Sequence, residues 1–464
     1  MKPRRRLREY TPEIRATLHL AVPLILAELG WMAMGIVDTM FVGRVGAEAI
    51  GAVGLGALIY FVIAICLGGI LLSMDTVVAQ AHGARNPELC RTWLVQGLWL
   101  AGFLTPLAMG LVWAAEPVLP ALGIDRTVLA TARPYLRALN WGTPGLLAYF
   151  ALRRYLQAVG IVRPVMIVLI TANLVNLAGN WILVLGNLGA PKMGAEGSGW
   201  ATCISRSYMA AALAIVVLRH LRREERPATK YSARPDARRI HELVALGLPI
   251  AGQIGIEVAV FAFVAILVGR ISAVALAANQ IAIMTVSTTY MAPLGISSAA
   301  AVRVGHALGR GDPAGARRSG WAALALGAAA MSCAAIALLG VPLWIARVFT
   351  PVPDVIGAAA TILRIAAFFQ LFDGLQVVAT GALRGAGSTR IPALCHFAGY
   401  WMIGLPVGAV LCFRWGLGAP GLWVGLSLGL ILIGIVLVLV WNRTANGFLV
   451  NQLGGSPRLH ARDS

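Results

Sequence analysis

One carboxylic acid and three carboxamides lie in apolar stretches of this chain at spacings that could bring them together. Asp38 lies near the end of a long apolar run, and Asn173, Asn176 and Asn180 fall at i, i+3 and i+7, one face of a helix. A carboxylate beside carboxamides in a shielded pocket is suited to holding a proton or a small cation. The alternative is that Asp38 is a hydrogen-bonded structural residue.

Two further acids, Glu257 and Asp373, fall at the middle of separate apolar segments. Ionisable side chains at membrane depth are costly, so each is a candidate functional residue. Two acids at one depth could share a proton, coordinate Na⁺ or attract a cationic substrate. Three other ionisable residues lie nearer helix ends or could extend to the interface and receive less weight: Glu28, Asp75 and Arg206.

Aromatic and sulfur-containing side chains occupy the same apolar segments. Methionine and aromatic rings offer an adaptable surface for varied apolar cations. Lipid contact or packing is the alternative for any single one of them. The candidate substrate-cavity residues are Trp31, Met34, Phe261, Met284, Tyr290, Phe369 and Phe372.

The elements that must position these residues are membrane helices. The chain has 464 residues, of which 59% are hydrophobic and 12% charged, whereas soluble domains have about 25% charged residues. A helix needs about 20 residues to cross a hydrocarbon core. Twelve segments reach that length: 17–42, 47–75, 90–114, 130–152, 165–188, 197–219, 243–268, 274–302, 316–340, 356–383, 391–413 and 418–441.

The two halves of the chain carry the same Pro, Gly and Arg residues at equivalent positions. Pro23 and Pro249 lie about 226 residues apart, as do Val42-Gly43-Arg44 and Val268-Gly269-Arg270. Chance explains shared Leu and Ala between apolar helices, but it does not explain shared Pro, Gly and Arg. Because each half holds an even number of helices, the sequence predicts two six-helix lobes related by a pseudo-twofold axis along the membrane normal.

The Lys and Arg residues predict the orientation and the domain boundaries. Most lie at the N-terminus, in loops on one side and at the C-terminus, so both termini should be cytoplasmic, in a multi-pass protein of the inner membrane. The net charge of +19 is then explained by topology and anionic lipid, and nucleic acid is not an expected partner. The predicted divisions are a basic segment 1–16, an N-lobe 17–219, a cytoplasmic linker 220–242, a C-lobe 243–442 and a cytoplasmic tail 443–464.

These residues resemble the multidrug and toxic compound extrusion (MATE) family, and Glu257 with Asp373 resembles its NorM-like branch. The likeness runs from about residue 14 to 445. The matching stretches of the first half are Ala21-Val22-Pro23-Leu24, Val37-Asp38-Thr39, Val42-Gly43-Arg44 and Val78-Ala79-Gln80-Ala81-His82-Gly83. Those of the second half are Gly247-Leu248-Pro249, Arg303-Val304-Gly305-His306-Ala307-Leu308-Gly309 and Gly381-Ala382-Leu383-Arg384-Gly385.

The resemblance implies a V-shaped pair of six-helix lobes that exchanges cationic or amphipathic drugs for H⁺ or Na⁺. By it, Asp38, Asn176 and Asn180 match the first-lobe cation-site positions, and Glu257 and Asp373 match the second-lobe ones. The chain departs from some Na⁺-coupled members in one respect. They carry a Tyr one turn before the second acid, where Phe369 stands here, which removes an oxygen ligand and favours H⁺.

The sequence therefore predicts an ion-coupled multidrug efflux antiporter that works by alternating access, as a monomer and without a cofactor. No Walker A lysine loop and no His-Glu-x-x-His motif is present, so it is not expected to be an enzyme or to use ATP directly. A flippase of the wider superfamily for lipid-linked saccharides is an alternative, but it would favour a cationic cavity. A polytopic membrane enzyme that uses buried carboxylates is a further alternative.

Overall fold

The computed structural model describes residues 3–122, 126–223 and 233–453, and over these ranges the chain is built from helices without a strand. Ten helices among them are long and apolar enough to cross a membrane. The predicted all-α membrane fold is confirmed. The predicted terminal and linker segments fall partly outside the described residues.

The first half of the described chain forms eight helices. A short 3₁₀ turn, Leu71–Ser73, joins the second helix to the third, so the two make one long span. Their bounds are α1 (Pro3–Gly43), α2 (Ala47–Ile70), α3 (Met74–Gly83), α4 (Pro87–Ala115), α5 (Arg126–Trp141), α6 (Thr143–Ala158), α7 (Arg163–Leu183) and α8 (Ala195–Arg223).

The second half of the described chain also forms eight helices. Two π-helical stretches, Ala398–Gly404 and Val410–Arg414, extend two short α-helices into one span from Arg390 to Arg414. The bounds are α9 (Ala237–Gly269), α10 (Ala273–Gly309), α11 (Pro313–Gly340), α12 (Pro342–Phe349), α13 (Pro353–Gly385), α14 (Arg390–Phe397), α15 (Leu405–Ala409) and α16 (Ala419–Leu453).

Each of the twelve predicted segments coincides with one of these helices or with a joined pair. The segment 130–152 is broken at Gly142, where α5 ends and α6 begins with Pro144 in its first turn. This segment and 274–302 are not among the ten helices that are long and apolar enough to cross a membrane. The first is interrupted and carries arginines, and the second contains a run of Ser and Thr around Thr288.

The described helices group into two compact units. The first unit takes Pro23–Val78 and Pro87–Val258, and the second takes Ala259–Ser464 with Met1–Val22 and Ala79–Asn86. The division between the units falls within α1 and within α9, and the lobes 17–219 and 243–442 stay a prediction. The division of α1 falls at Pro23, the proline that the repeat pairs with Pro249.

Glycines let helices approach closely within each unit. In the first unit, a Cβ added at Gly179 of α7 would lie 2.9 Å from the Cβ of Ala201 on α8, so the two helices pack with almost no side chain between them. In the second unit, a Cβ added at Gly421 of α16 would lie 2.8 Å from the backbone nitrogen of Cys412. These contacts fix how the helices are rotated about their axes and hence which side chains meet.

Candidate functional site

The polar cluster of the first unit is centred on Asp38 of α1. Its Oδ1 accepts hydrogen bonds from Asn176 Nδ2 at 3.0 Å and Asn180 Nδ2 at 2.7 Å, and its Oδ2 accepts one from Thr202 Oγ1 at 2.8 Å. Asn180 Nδ2 also lies 3.2 Å from Asn176 Oδ1. Donors from α7 and α8 thus surround one carboxylate from α1.

The cluster is enclosed by protein. Asn176 and Asn180 have no exposed surface, and Asp38 is 7% exposed. Burial of a carboxylate is costly unless its oxygens are hydrogen-bonded, and these three donors satisfy both oxygens. Asn180 Oδ1 is buried and has no hydrogen-bond partner among the described residues. An acceptor oxygen is therefore still available beside the carboxylate for a cation or a proton-bearing group.

The sequence predicted the contact of Asp38 with Asn176 and Asn180, and the structure brings the three side chains together. The third carboxamide on that face has another partner, because Asn173 Nδ2 donates to the carbonyl of Gly30 at 2.9 Å. Thr202 was not predicted as a member of the cluster. It lies on α8, whose rotation depends on tertiary packing, and no spacing in the sequence relates it to Asp38.

A cavity of about 370 Å³ opens beside the cluster within the first unit. Asp38 and Thr202 line it, together with the predicted cavity residues Trp31 and Met34. Most of its wall is aromatic or aliphatic. The ring of Trp31 stacks on Tyr149, with centroids 6.2 Å apart and planes 7° apart. The volume is that of a small drug-sized ligand site.

Arg206 of α8 also lines this cavity, although the sequence gave it little weight. Only 8% of the residue is exposed. Its guanidinium lies over the ring of Tyr60, 4.5 Å from the centroid, and its charge interacts with that of Asp38. The sequence interpretation placed it nearer a helix end or reaching the interface, whereas the structure buries it at the cavity wall. Its position well inside the segment 197–219 was the signal that could have shown this.

The two acids that also received less weight, Glu28 and Asp75, form buried ion pairs in the same unit. Glu28 pairs with Arg153, and Asp75 Oδ2 lies 3.4 Å from Arg154 Nη1, which also donates to Gln157 at 3.2 Å. Each acid therefore has a cationic partner within the apolar interior. One pair connects α1 with α6, and the other connects α3 with α6. Removing one partner of such a pair strongly destabilises a protein.

Asp373 lies in the second unit, on α13, and is 4% exposed. Its Oδ1 accepts a hydrogen bond from Gln376 Nε2 at 3.0 Å, one turn later on the same helix. Gln376 Oε1 is buried without a hydrogen-bond partner among the described residues. Glu257 is partly exposed and belongs to the first unit. The predicted sharing of an ion by Glu257 and Asp373 thus stays a prediction.

The other predicted cavity residues lie on α9, α10 and α13. Phe369 is 1% exposed and stacks on Trp423, with ring centroids 6.2 Å apart, so it packs in the interior of the second unit. Phe261 meets Tyr400 edge-on at 6.1 Å. Met284 is exposed, and Tyr290 and Phe372 are partly exposed.

The chain is similar in sequence to a known protein family and to several of its members. The family model described as MatE matches it twice, at residues 23–182 and 249–410, which begin at the two equivalent prolines. It is 38% identical over 440 residues to the probable multidrug resistance protein NorM of Mesorhizobium japonicum, which covers 93% of this chain and 94% of that one. It is also 38% identical over 431 residues to the multidrug resistance protein NorM of Burkholderia vietnamiensis, covering 91% and 92%.

Solved structures share the fold. A crystal structure of the eukaryotic MATE transporter AtDTX14 superposes with a TM-score of 0.84 at 20% identity, over 95% of this chain and 98% of that one. A crystal structure of MATE in the straight conformation gives a TM-score of 0.86 at 16% identity, over 94% and 97%. The twelve-helix, two-lobe architecture is that of these transporters.

Proposed function

This chain belongs to the MatE family and is a multidrug efflux transporter, and we propose that it is an antiporter that exports organic cations and amphipathic compounds in exchange for H⁺ or Na⁺. It is a multi-pass membrane protein and not an enzyme. We place it in the inner membrane with both termini in the cytoplasm, acting as a monomer without a cofactor. The observation that carries the proposal is the buried Asp38 cluster at the wall of an apolar cavity.

The cluster suggests how an ion and a substrate can compete. In the described arrangement the carboxylate of Asp38 accepts three hydrogen bonds from α7 and α8. A proton on either oxygen removes the negative charge, and a neutral carboxyl group accepts hydrogen bonds more weakly than a carboxylate does, so all three bonds weaken. Binding of the ion therefore changes how α1 is held against α7 and α8, beside the cavity in which substrate binds.

We favour H⁺ as the coupling ion. Sodium ions bind oxygen ligands, but the carboxamides of Asn176 and Asn180 present their N–H groups to Asp38. Asn180 Oδ1 is the amide oxygen left without a partner here, so Na⁺ would find few oxygen ligands beside Asp38 unless the Asn176 amide rotated. In the second unit Phe369 stands at the position where a Na⁺ site would need an oxygen ligand, and its ring stacks on that of Trp423.

The preference of the transporter for cationic substrates is assigned to Glu257 and Asp373. Asp373 is buried with a neutral glutamine as its partner on the same helix. An acid that is not balanced by a neighbouring cation gives its surroundings a negative potential. We propose that Asp373 and Glu257 attract cationic substrates, and that Met284, Tyr290, Phe261 and Phe372 provide apolar contacts.

The test is transport of a fluorescent organic cation by the full chain in proteoliposomes, with H⁺ and Na⁺ gradients imposed separately. We expect accumulation driven by a pH gradient in the absence of Na⁺, and collapse of that accumulation when the gradient is dissipated. Accumulation that follows the Na⁺ gradient alone would assign Na⁺ as the coupling ion. Transport that is indifferent to both gradients would overturn the antiport mechanism.

A further inference from the structure

Two histidine rings face each other in the second unit, one in the last turn of α3 and one near the end of α10. The centroids of the His82 and His306 rings lie 4.9 Å apart, with their planes 38° apart. The two residues occupy equivalent positions of the duplicated halves, in Val78-Ala79-Gln80-Ala81-His82-Gly83 and Val302-Arg303-Val304-Gly305-His306-Ala307. Neither ring belongs to the Asp38 cluster or lines the cavity beside it.

Backbone packing holds the two rings at this separation. A Cβ added at Gly83 would lie 2.8 Å from the Cα of His306, and one at Gly305 would lie 2.7 Å from the Cβ of Ala79. Glycine at these two positions therefore lets α3 and α10 approach with almost no side chain between them. The rings of His82 and His306 are brought together by this close approach of the two helices.

Ions in solution can reach the pair. His82 is exposed, at the end of the apolar span Glu48–Gly83, and His306 is partly exposed. Arg303, one turn before His306 on α10, pairs with Glu13 of α1 in the same unit. The positive charge of that arginine is thereby offset, and its repulsion of a cation at the imidazoles is reduced.

The separation of the rings matches that of two imidazoles that share one metal ion. Two rings bound to a tetrahedral Zn²⁺ through nitrogens about 2.0–2.1 Å from the ion have their centroids about 5 Å apart. Imidazole nitrogen suits Zn²⁺, Cu²⁺ and Ni²⁺, whereas Mg²⁺ and Ca²⁺ prefer oxygen ligands. An imidazole that hydrogen-bonds through one nitrogen can still bind a metal through the other.

We propose that His82 and His306 together bind a divalent transition-metal ion, with Zn²⁺ as the probe that defines the site, and that the bound ion inhibits transport. Among the described residues no group of three His, Cys, Asp or Glu side chains is placed to hold a metal. Water therefore completes the coordination, and binding is weaker and more readily reversed than at a structural zinc site with four protein ligands.

Inhibition follows from which parts of the chain the ion connects. His82 comes from the first half of the chain and His306 from the second, and alternating access requires the two halves to move relative to each other. An ion that binds one arrangement better than the others stabilises that arrangement by mass action. This consequence for transport rests on the proposed function, whereas binding of the ion does not.

The experiment measures Zn²⁺ binding to the purified full chain, without a polyhistidine tag, by competition with a zinc-sensitive dye. His82→Ala and His306→Ala each remove one ligand. His82→Cys replaces the imidazole with a thiolate, which also binds zinc. His241→Ala is the matched control, because His241 is an exposed histidine on α9.

We expect H82A and H306A each to weaken Zn²⁺ binding by at least about tenfold. The double variant should be little worse than either single one, because the two ligands act as a pair. H82C and H241A should bind within about twofold of wild type, and Mg²⁺ should not compete. Wild-type affinity in H82A or in H306A would overturn the site, and so would equal losses in H82A and H82C.

Exchange of an organic cation is measured separately in proteoliposomes, with Zn²⁺ or Mg²⁺ on both sides of the membrane. Zn²⁺ should slow exchange by wild type but not by H82A, and a chelator should restore the wild-type rate. Equal slowing of both proteins would overturn inhibition through this site. If the chain is not an antiporter, wild type exchanges nothing even without Zn²⁺, while the difference in Zn²⁺ binding between wild type and H82A remains.

Discussion

The buried acids of the two units are held in different ways. Asp38 is bound by donors from α7 and α8, so its hydrogen bonds join α1 to two consecutive helices that lie far along the chain from it. Asp373 is bound by Gln376, which lies on its own helix. A change of charge at Asp38 alters the strength of bonds that join different helices, whereas a change at Asp373 acts on a bond within α13.

This difference separates two roles that a buried acid can have in a transporter. An acid whose bonds cross helices can convert binding of an ion into a change of conformation. An acid with a local partner supplies electrostatic potential without the same mechanical connection. We assign conformational coupling to Asp38 and electrostatic attraction of substrate to Asp373. Variants of the two acids and of their partners test this assignment.

The largest effect is expected for Asp38→Asn. The neutral side chain cannot exchange a proton or balance a cation, so gradient-driven efflux should fall to the level of empty liposomes. Drug accumulation in proteoliposomes with an imposed pH gradient measures this. Asp354→Asn is the matched control, because Asp354 is exposed in the first turn of α13, and it should transport normally. Normal gradient dependence in D38N would remove Asp38 from the coupling mechanism.

Asn180→Leu should have the next largest effect. It removes the shortest bond to Asp38, and hydrogen bonds to charged groups contribute about 1.5–3 kcal/mol, so coupled transport should fall by about 10- to 100-fold. Asn173→Leu is the control on the same face of α7, because that amide binds the Gly30 carbonyl and not the acid. Similar losses in both variants would mean that the amides of α7 act through packing alone.

The members of the Asp38 cluster differ in whether the sequence could predict them. Helix periodicity placed Asn176 and Asn180 on one face, and hydropathy put that face at the depth of Asp38. Thr202 and Arg206 join from α8, whose rotation is set by contacts such as that of Gly179 with Ala201. No periodicity within one helix encodes that rotation.

In the second unit, too, the neighbours of a side chain could not be predicted from the sequence. Apolar character marked Phe369 as a residue of the cavity, but its stacking on Trp423 depends on how α13 and α16 pack. Helix positions therefore follow from composition, and side-chain neighbours follow from packing.

Asp373→Asn and Glu257→Gln should weaken binding of a cationic substrate several-fold and change binding of a neutral analogue of similar size by less than twofold. The reason is that a negative potential acts on the charge of the substrate and not on its shape. Equilibrium binding of both compounds to each variant tests this. If the two acids share one ion, the double variant should be little worse than either single one. Equal losses for cationic and neutral compounds would contradict an electrostatic role.

The smallest effects are expected for the neutral partners of the two acids. Thr202→Val removes one hydrogen bond to the carboxylate of Asp38, worth about 1.5 kcal/mol at the low end for a charged acceptor, and should reduce coupled transport about tenfold. Gln376→Leu should change it by less than about twofold, because the bond it removes does not cross helices. Initial rates of pH-driven accumulation compare the two variants. A larger loss in Q376L than in T202V would reverse the assignment of roles.

The most direct test of ion exchange at Asp38 is the release of protons when substrate binds. Purified protein in weakly buffered, Na⁺-free detergent solution is mixed with a saturating organic cation, and the pH is followed with an indicator dye. We predict proton release from wild type and from Asp373→Asn, and none from Asp38→Asn. Equal release from D38N and wild type, or none from wild type while the substrate binds, would contradict the assignment of Asp38 as the proton-exchanging group.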